Sequence, residues 1–340
     1  MNLSRSLGLL SLIIALYILW QIKQLLLLVF TAIVLATALN QLVKQLQRWN
    51  LKRSWAIGLS VGILLVIFAV FLLLVVPPFV QQFEGLIELL PSSITEIEEL
   101  LDRILDFLPE QPWIDFTEID PLLQQIDLSV DRFLGQSLEL VFTSVNTLLQ
   151  ILFVLVLTLM LLINPTPYLQ VFTRLFPSFY RQRVREIIAS CESALGSWTT
   201  AVLIEMVFVG ALSGIGLWIL QVPLALAHAV IAGLFNLIPN VGPTLSVVFP
   251  MAIALLDAPW KAGAVLILYL IIQQIESYWL TPTIMAKQVS LLPAITLTAQ
   301  IVFASLFGPL GLLIALPLAI VVGTWIEEVV FKDILDRWGN

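Results

Sequence analysis

Apolar stretches long enough to enter or cross a membrane recur along the whole chain. Six of them contain no proline, and their limits are Leu7–Gln21, Leu25–Val43, Trp55–Val76, Leu148–Ile163, Ala201–Leu220 and Ala262–Leu280. Two further apolar blocks, 223–256 and 293–322, are interrupted by proline and glycine. Because a helix of about 20 apolar residues spans the roughly 30 Å of hydrocarbon in a bilayer, the pattern predicts an all-α membrane protein. We expect a polytopic helical bundle with about eight membrane elements.

The two interrupted blocks share a proline spacing. Pro223 and Pro239 lie sixteen residues apart in the first block, and so do Pro293 and Pro309 in the second. Each spacing leaves an apolar arm of about fifteen residues, which is roughly 22 Å long and shorter than the hydrocarbon core is thick. Backbone freed by proline at membrane depth is tolerated where it is buried in protein or lines a wet cavity. We therefore predict two re-entrant hairpins, with two unrelated kinked helices as the alternative.

The charges of the loops predict the orientation. Two loops carry only or mainly basic residues, namely Lys44, Arg48, Lys52 and Arg53 in one and Arg174, Arg181, Arg183 and Arg185 in the other. Basic loops stay on the cytoplasmic side. We therefore expect an inner-membrane protein with both termini in the cytoplasm and with residues 81–145 outside. The run Leu7–Trp20 is read as a retained first span, because no small-residue cleavage site follows it.

The outer segment, residues 81–145, is acidic and predicted to be helical. It holds fourteen acidic residues against Arg103 and Arg132. Ser93 and Glu96 have the spacing of a capping box, and apolar residues then recur at helical intervals up to Pro109. These amphipathic stripes have no obvious partner within the chain, and exposed stripes usually mark contacts. We expect a homo-oligomer.

Composition supports the membrane assignment and excludes several functions. Hydrophobic residues make up 60% of the chain and charged residues only 11%, whereas a soluble domain carries about 25% charged residues. The net charge of -7 argues against nucleic acid as a partner. One histidine and one cysteine exclude a His/Cys metal cluster, and neither HExxH nor a P-loop is present. We expect no enzyme, no metal and no cofactor, and a small molecule or ion as the substrate, with membrane lipid around it.

The motifs in the interrupted blocks resemble the autoinducer-2 exporter family. They are Gly233-Leu-Phe-Asn-Leu-Ile-Pro-Asn-Val-Gly-Pro243, Gln274-Ile-Glu276 with Thr281-Pro282, Lys287 and Pro293, and Leu306-Phe-Gly-Pro-Leu-Gly311 with Ala315-Leu-Pro317. The resemblance covers nearly the whole chain and implies a transporter, either an exporter of the quorum-sensing signal or a sodium/proton antiporter, and it points to an oligomer, with a pentamer as one candidate. Family members often carry Arg-Gly-Gln where this chain has Ser197-Trp198-Thr199-Thr200, and tyrosine at the position of Asn240. Either departure could mark a different substrate.

Polar residues within the apolar segments are the candidate site. The predicted solute path consists of Asn236, Pro239, Asn240, Gly242, Pro243, Gln274, Glu276, Gln300, Gly308, Pro309 and Gly311. Paired broken segments point to a transporter's substrate site, so we predict that the two hairpin tips meet near mid-membrane. Glu205 and Glu276 are the candidates for ion coupling, since ionisable groups inside a membrane are usually functional.

Each candidate has a structural alternative. Glu205 could reach the interface or pair with Arg185, and the two asparagines could cap the backbone that Pro239 leaves open. The lone histidine, His228, fits a structural role better than a functional one.

These observations divide the chain into four regions. They are N-terminal spans (1–80), the acidic segment (81–145), a span with a cytoplasmic amphipathic helix (146–200), and a transport core with a C-terminal helix (201–340). The predicted function is secondary transport, with export of a small solute of the autoinducer-2 type. A sodium (lithium)/proton antiporter and a channel or membrane scaffold are the alternatives.

Overall fold

A computed structural model describes residues 17–70, 145–285 and 293–336, together with Ile14, Leu72, Leu73 and Pro77. Within these ranges all regular structure is helical, which confirms the predicted all-α class. Most of the first predicted span, the Ser93–Glu96 capping box and Lys287 lie outside the described residues.

Ten α-helices and two π-helical segments have both of their ends within the described part of the chain. The α-helices are α1 (Lys23–Gln47), α2 (Arg53–Val70), α3 (Val145–Ile163), α4 (Pro165–Arg174), α5 (Arg181–Ile219), α6 (Ala225–Phe235), α7 (Val241–Asp257), α8 (Pro259–Ile275), α9 (Thr281–Met285) and α10 (Pro293–Trp325). The π-helical segments are Glu276–Leu280 and Ile326–Leu335.

The chain forms two compact units. The first consists of Met1–Phe79 and Val154–Asn340, and the second of Val80–Phe153. Only the beginning of α3 is described in the second unit, so the predicted helices of the acidic segment stay a prediction. All packing reported below belongs to the first unit.

Several described helices are long and apolar enough to cross a membrane. There are five of them, namely Lys23–Gln47, Arg53–Val70, Arg181–Ile219, Pro259–Ile284 and Ala294–Leu335. A sixth span results if α3 and α4, which meet at an angle of 93°, count as one. The described residues thus contain five or six candidate membrane spans, and the count of eight elements stays a prediction.

Helix α5 is the central element of the first unit. Its 39 residues extend over roughly 58 Å at 1.5 Å per residue. Toward its C-terminus it shares an apolar core with α6, α7 and α8, in which Leu217 and Val265 are fully buried. Nearer its N-terminus it packs Trp198 and Val202 against Leu316 of α10. Both interrupted blocks are therefore held against one helix.

Helix α6 packs on α5 in an antiparallel direction through small residues. A Cβ atom on Gly233 would lie 2.6 Å from the Met206 carbonyl oxygen, and one on Gly210 would lie 3.1 Å from that of Ala229. Such close backbone contact needs glycine. Because α6 runs back along α5 from residue 210 toward residue 206, its C-terminal end comes to the level of Glu205.

Both interrupted blocks fold back on themselves at the predicted breakers. In the first, the return helix begins with Gly242 packed on the carbonyl group of Phe235. In the second, α10 consists of two helical parts that meet at a break at Gly308, whose φ of 67° is left-handed, and Gly311 packs on the carbonyl group of Phe303. A side chain on either packed glycine would collide with the facing carbonyl group. The proline and glycine pattern therefore located two turns, while their depth in a bilayer stays a prediction.

Candidate functional site

The tip of the first hairpin binds the end of α8 through a buried polar contact. The Asn236 side-chain amide donates a 2.7 Å hydrogen bond to Glu276 Oε1. Asn236 is 3% exposed and Glu276 is 7% exposed. The Gln273 amide lies 3.4 Å from the second carboxylate oxygen of Glu276. The sequence pattern had singled out Asn236 and Glu276 separately, and the structure brings them together.

A second buried carboxylate lies next to this contact. Glu205 of α5 is 6% exposed and accepts a hydrogen bond of 3.4 Å from the Thr281 hydroxyl group. Its partner Thr281 directly follows the π-helical segment Glu276–Leu280, which begins with the other carboxylate. The predicted alternative that Glu205 pairs with Arg185 was wrong, because Arg185 lies twenty residues earlier on the same helix and bonds Gln182. The alternative position at the membrane interface stays a prediction.

The carboxylate pair has only neutral hydrogen-bond donors around it. Within the ranges that the structure describes, no lysine, arginine or histidine forms an ion pair with Glu205 or Glu276. Buried charges are costly unless they are paired. Protons, a monovalent cation or the polar groups of a solute could each supply what the pair lacks. In the same ranges no group of three metal-ligating side chains occurs.

A change of helix type positions Glu276 and Thr281. Helix α8 ends at Ile275, and residues Glu276–Leu280 continue as a π-helix. Single π-helical turns are frequent at functional sites because they shift side chains out of the α-helical register. Trp279 of this turn packs its ring on Phe208 of α5, with the centroids 5.9 Å apart. The turn is thus anchored on the helix that carries Glu205.

The second interrupted block reaches the first hairpin tip through Gln300. Its side-chain amide donates a 2.9 Å hydrogen bond to the carbonyl oxygen of Pro239. Gln300 is 2% exposed, and its own side-chain oxygen has no partner among the described residues. The residue lies on the first arm of its block, eight positions before Gly308. The meeting of the two tips themselves stays a prediction.

Two predicted path residues lie away from this cluster. Asn240 is exposed and has a left-handed φ of 68°, so its observed role is to turn the backbone into α7. Gln274 is also exposed, and its neighbour Gln273 contacts Glu276 instead. Pro243 accepts a hydrogen bond from Ser246 through its carbonyl group. The predicted Gly242, Gly308, Pro309 and Gly311 belong to the two turns.

Some buried or partly buried polar residues were not predicted as part of a site. Thr281 contacts Glu205, although the sequence showed it only as part of a family motif. His228 of α6 is 1% exposed, and neither ring nitrogen has a hydrogen-bond partner in the described part of the chain. Ser213 and Tyr269 are buried nearby in the core around α5. Only proximity in the fold distinguishes these residues, since no spacing in the sequence connects them.

A family model matches almost the entire chain. The family is described as AI-2E family transporter, and the match covers residues 9–331.

Individual relatives show the same similarity. The chain is 27% identical over 305 residues to the AI-2 transport protein TqsA of Escherichia coli K12, covering 87% of this chain and 84% of TqsA. It is 25% identical over 262 residues to YueF, a candidate transport protein of Bacillus subtilis strain 168, covering 75% of this chain and 70% of YueF. YhhT, a candidate transport protein of Escherichia coli K12, is 24% identical over 311 residues, or 90% of this chain and 84% of YhhT.

Proposed function

The chain belongs to the AI-2E family of membrane transporters, and from this we propose that it is a secondary transporter that exports a small hydrophilic solute. The solute path passes the buried cluster of Asn236, Glu276 and Gln300. A molecule of the autoinducer-2 type is the first solute to test, since one relative is named for AI-2 transport. The chain contains no P-loop motif that would bind ATP, so export would be coupled to an ion gradient or would be passive.

One observation carries the proposal, namely the Asn236–Glu276 hydrogen bond at the turn of an interrupted apolar block. Uncovered backbone and a buried carboxylate are both costly in a membrane interior. The passage of a polar solute at this point would explain why both features occur within one hydrogen-bonded cluster. The contact also joins the hairpin to α8, so a solute that competes for Glu276 would loosen the hairpin tip.

Flux through purified protein in liposomes tests the proposal. Glu276→Gln should abolish export of the solute while leaving membrane insertion unchanged. The same substitution at Glu186, which is exposed on the N-terminal part of α5, is the matched control and should transport normally. Normal transport by Glu276→Gln would show that this carboxylate is not part of the solute path.

Cation/proton antiport is a second candidate, and a specific observation favours it. Glu205 and Glu276 are both buried, the π-helical segment that begins at Glu276 leads to the Thr281 that bonds Glu205, and no basic side chain is paired to either carboxylate among the described residues. Such a pair could exchange a sodium or lithium ion for protons. In proteoliposomes with a trapped pH dye, an imposed sodium gradient should then move protons, and Glu205→Gln should stop this movement. Organic-solute flux without proton movement would favour the first candidate.

A channel or scaffold is the remaining alternative. A channel would pass solutes without saturation, and a scaffold would pass none, so the same flux assay separates both from a transporter.

The location and assembly are also proposals. We place the protein in the bacterial inner membrane, with both termini in the cytoplasm, as a homo-oligomer. Mass measurement in mild detergent tests the assembly, and a clean monomer would contradict it.

A further inference from the structure

A polar cavity lies between α1 and α5, apart from the Asn236–Glu276 cluster. Its volume is about 390 Å³, within the range of about 300–1,000 Å³ typical of small-molecule sites. The lining residues are Gln41, Lys44, Ala189, Glu192, Ser193, Gly196, Ser197 and Thr200. The proposed function does not use this cavity. Its position near the basic end of α1 would open it to the cytoplasm in the proposed topology.

The close approach of α1 and α5 forms the floor of the cavity. Gly196 faces the side chain of Gln41 so closely that a Cβ atom would collide with the Gln41 amide nitrogen. The missing side chain therefore leaves room for this amide at the cavity wall. Thr200, one turn further along α5, donates its hydroxyl to the Gly196 carbonyl oxygen at 2.9 Å. Its hydroxyl oxygen still has capacity to accept a hydrogen bond.

One positive and one negative group stand at the rim. Lys44 Nζ and Glu192 Oε1 are 3.5 Å apart, and their side chains are 54% and 48% exposed. Charge-assisted hydrogen bonds are usually about 2.7–2.9 Å long, so this pair is loose. Exposed ion pairs contribute little to stability. Either charge is therefore free to turn to a ligand at little cost.

The remaining lining groups are neutral donors and acceptors. In the part of the chain that is described, neither the Gln41 amide nor the Ser193 hydroxyl has a side-chain hydrogen bond. The cavity as a whole carries no net charge. A lone anion in it would face Glu192, and a lone cation would face Lys44. A solute that carries one positive and one negative charge can pair with both Glu192 and Lys44.

We propose that this cavity binds a small zwitterionic solute, with its carboxylate on Lys44 and its ammonium group on Glu192. The Gln41 amide and the hydroxyls of Ser193 and Thr200 bind the polar remainder of the solute. This assignment rests on the proposed function: the cavity is the cytoplasmic loading site of the transporter, and it favours an amino-acid-like solute over the autoinducer-2 type named first above. Glu205 lies five residues beyond Thr200 on the same helix, about 7.5 Å further along it.

Equilibrium binding to the full-length protein tests this assignment without any need for transport. The probe is L-glutamine, compared with glutaramate, which lacks the ammonium group, with glutamine amide, which lacks the carboxylate, and with glucose. In nanodiscs of phosphatidylglycerol alone, glutamine should bind about tenfold more tightly than each of the other three, because it alone offers a charged partner to both Lys44 and Glu192. Equal binding of glutaramate or glucose would overturn the assignment.

Variants locate the binding within the cavity. Lys44→Gln and Glu192→Gln should each weaken glutamine binding about tenfold, and the charge exchange Lys44→Glu with Glu192→Lys should restore part of it. Lys261→Gln, which removes a lysine paired with Asp257 elsewhere, is the control and should bind as the unmodified chain does. Gly196→Ala should weaken binding by displacing the Gln41 amide. Full binding by Lys44→Gln would exclude this cavity.

Two further outcomes are distinguishable. A phosphatidylethanolamine headgroup offers the same ammonium-plus-anion chemistry, so competition by this lipid that depends on Lys44 would support the zwitterion site with lipid as its ligand. If neither glutamine nor this lipid binds, the assignment fails even if the protein exports another solute. If glutamine binds but no solute is transported, the cavity stands and the proposed function fails.

Discussion

Asn236 donates a 2.7 Å hydrogen bond to Glu276, and both side chains are buried although they lie forty positions apart in the sequence. The bond joins the tip of the first hairpin to the start of the π-helical turn after α8. On the other side of the tip, Gln300 holds the carbonyl group of Pro239. The turn is therefore fixed to two neighbouring elements through side-chain amides, which offer hydrogen bonds that a polar solute could replace.

We predict that Asn236→Leu abolishes solute flux and lowers thermal stability. The substitution removes the 2.7 Å donor from the buried carboxylate of Glu276, and an unsatisfied buried polar group costs about 1–3 kcal/mol. Flux in liposomes and thermal unfolding in detergent measure the two effects. Gln170→Leu, at an exposed amide on α4, is the control. Normal flux in Asn236→Leu would mean that the contact is structural at most.

Much of this cluster was predictable from the sequence, and the exceptions have physical reasons. Proline and glycine interrupt the apolar runs at both turns and thereby predict them. Carboxylates within apolar runs are costly in a membrane, which makes them candidates for a functional site. The contact between Gln273 and Glu276 was predictable as well, because it has the i, i+3 spacing of residues on one helix face. The choice between Asn236 and Asn240 was not predictable, since the backbone at Asn240 turns left-handed and exposes its side chain.

Long-range contacts were the other part that the sequence could not supply. The amide of Gln300 bonds Pro239, and the hydroxyl of Thr281 bonds Glu205. Both contacts depend on how α10 and the π-helical turn pack around α5, and hydrophobic periodicity does not determine such packing within a membrane, where lipid is as apolar as protein.

We predict that Gly242→Ala and Gly311→Ala each destabilise the protein by about 1–3 kcal/mol. Both glycines pack on a carbonyl group of the preceding arm, and a methyl group has no room there. Gly263→Ala is the matched control, because nothing lies within 4 Å of a Cβ atom at that position. This control should be neutral or slightly stabilising, since alanine favours helix more than glycine does. Equal changes in the free energy of unfolding for the three variants would contradict the hairpin geometry.

We predict that Asn240 acts through its backbone, so that its side chain can be removed but not enlarged. Asn240→Gly should keep flux and stability, because glycine adopts the observed φ of 68° without cost. Asn240→Leu should lose about 1–2 kcal/mol of stability and impair flux, since a left-handed conformation strains such a residue. Impaired flux in Asn240→Gly with intact folding would instead assign the side chain to the solute path.

We predict the topology from the loop charges. A cysteine replacing Ser129 in the acidic segment should react with a membrane-impermeant reagent from outside, and a cysteine replacing Ser178, after the α4 segment, only from inside. Both variants are made on a Cys191→Ala background, so that the introduced cysteine is the single thiol of the chain. Labelling of the Ser129 position from the cytoplasmic side alone would overturn the orientation.

We predict that Arg183 couples the N-terminal end of α5 to the C-terminal segment Ile326–Leu335. Its guanidinium group bonds both carboxylate oxygens of Asp333 at 3.1 Å and the carboxylate of Glu328 at 2.8 Å. Tyr180 donates a further 2.7 Å hydrogen bond to Asp333. A network with several shared partners holds its geometry better than an isolated exposed pair. It is the main polar connection described between these two ends.

A double-mutant cycle of Arg183→Gln and Asp333→Asn measures this coupling. The interaction energy should be about 1 kcal/mol or more, since residues within one ion-pair network couple by about 0.5–3 kcal/mol. The cycle of Lys44→Gln and Glu192→Gln is the control and should give less, because that pair is isolated and half exposed. Because Asp333 is only 11% exposed, moderate salt should weaken the control pair more than the Arg183 network. Equal coupling in the two cycles would mean that the C-terminal segment is held by its apolar contacts alone.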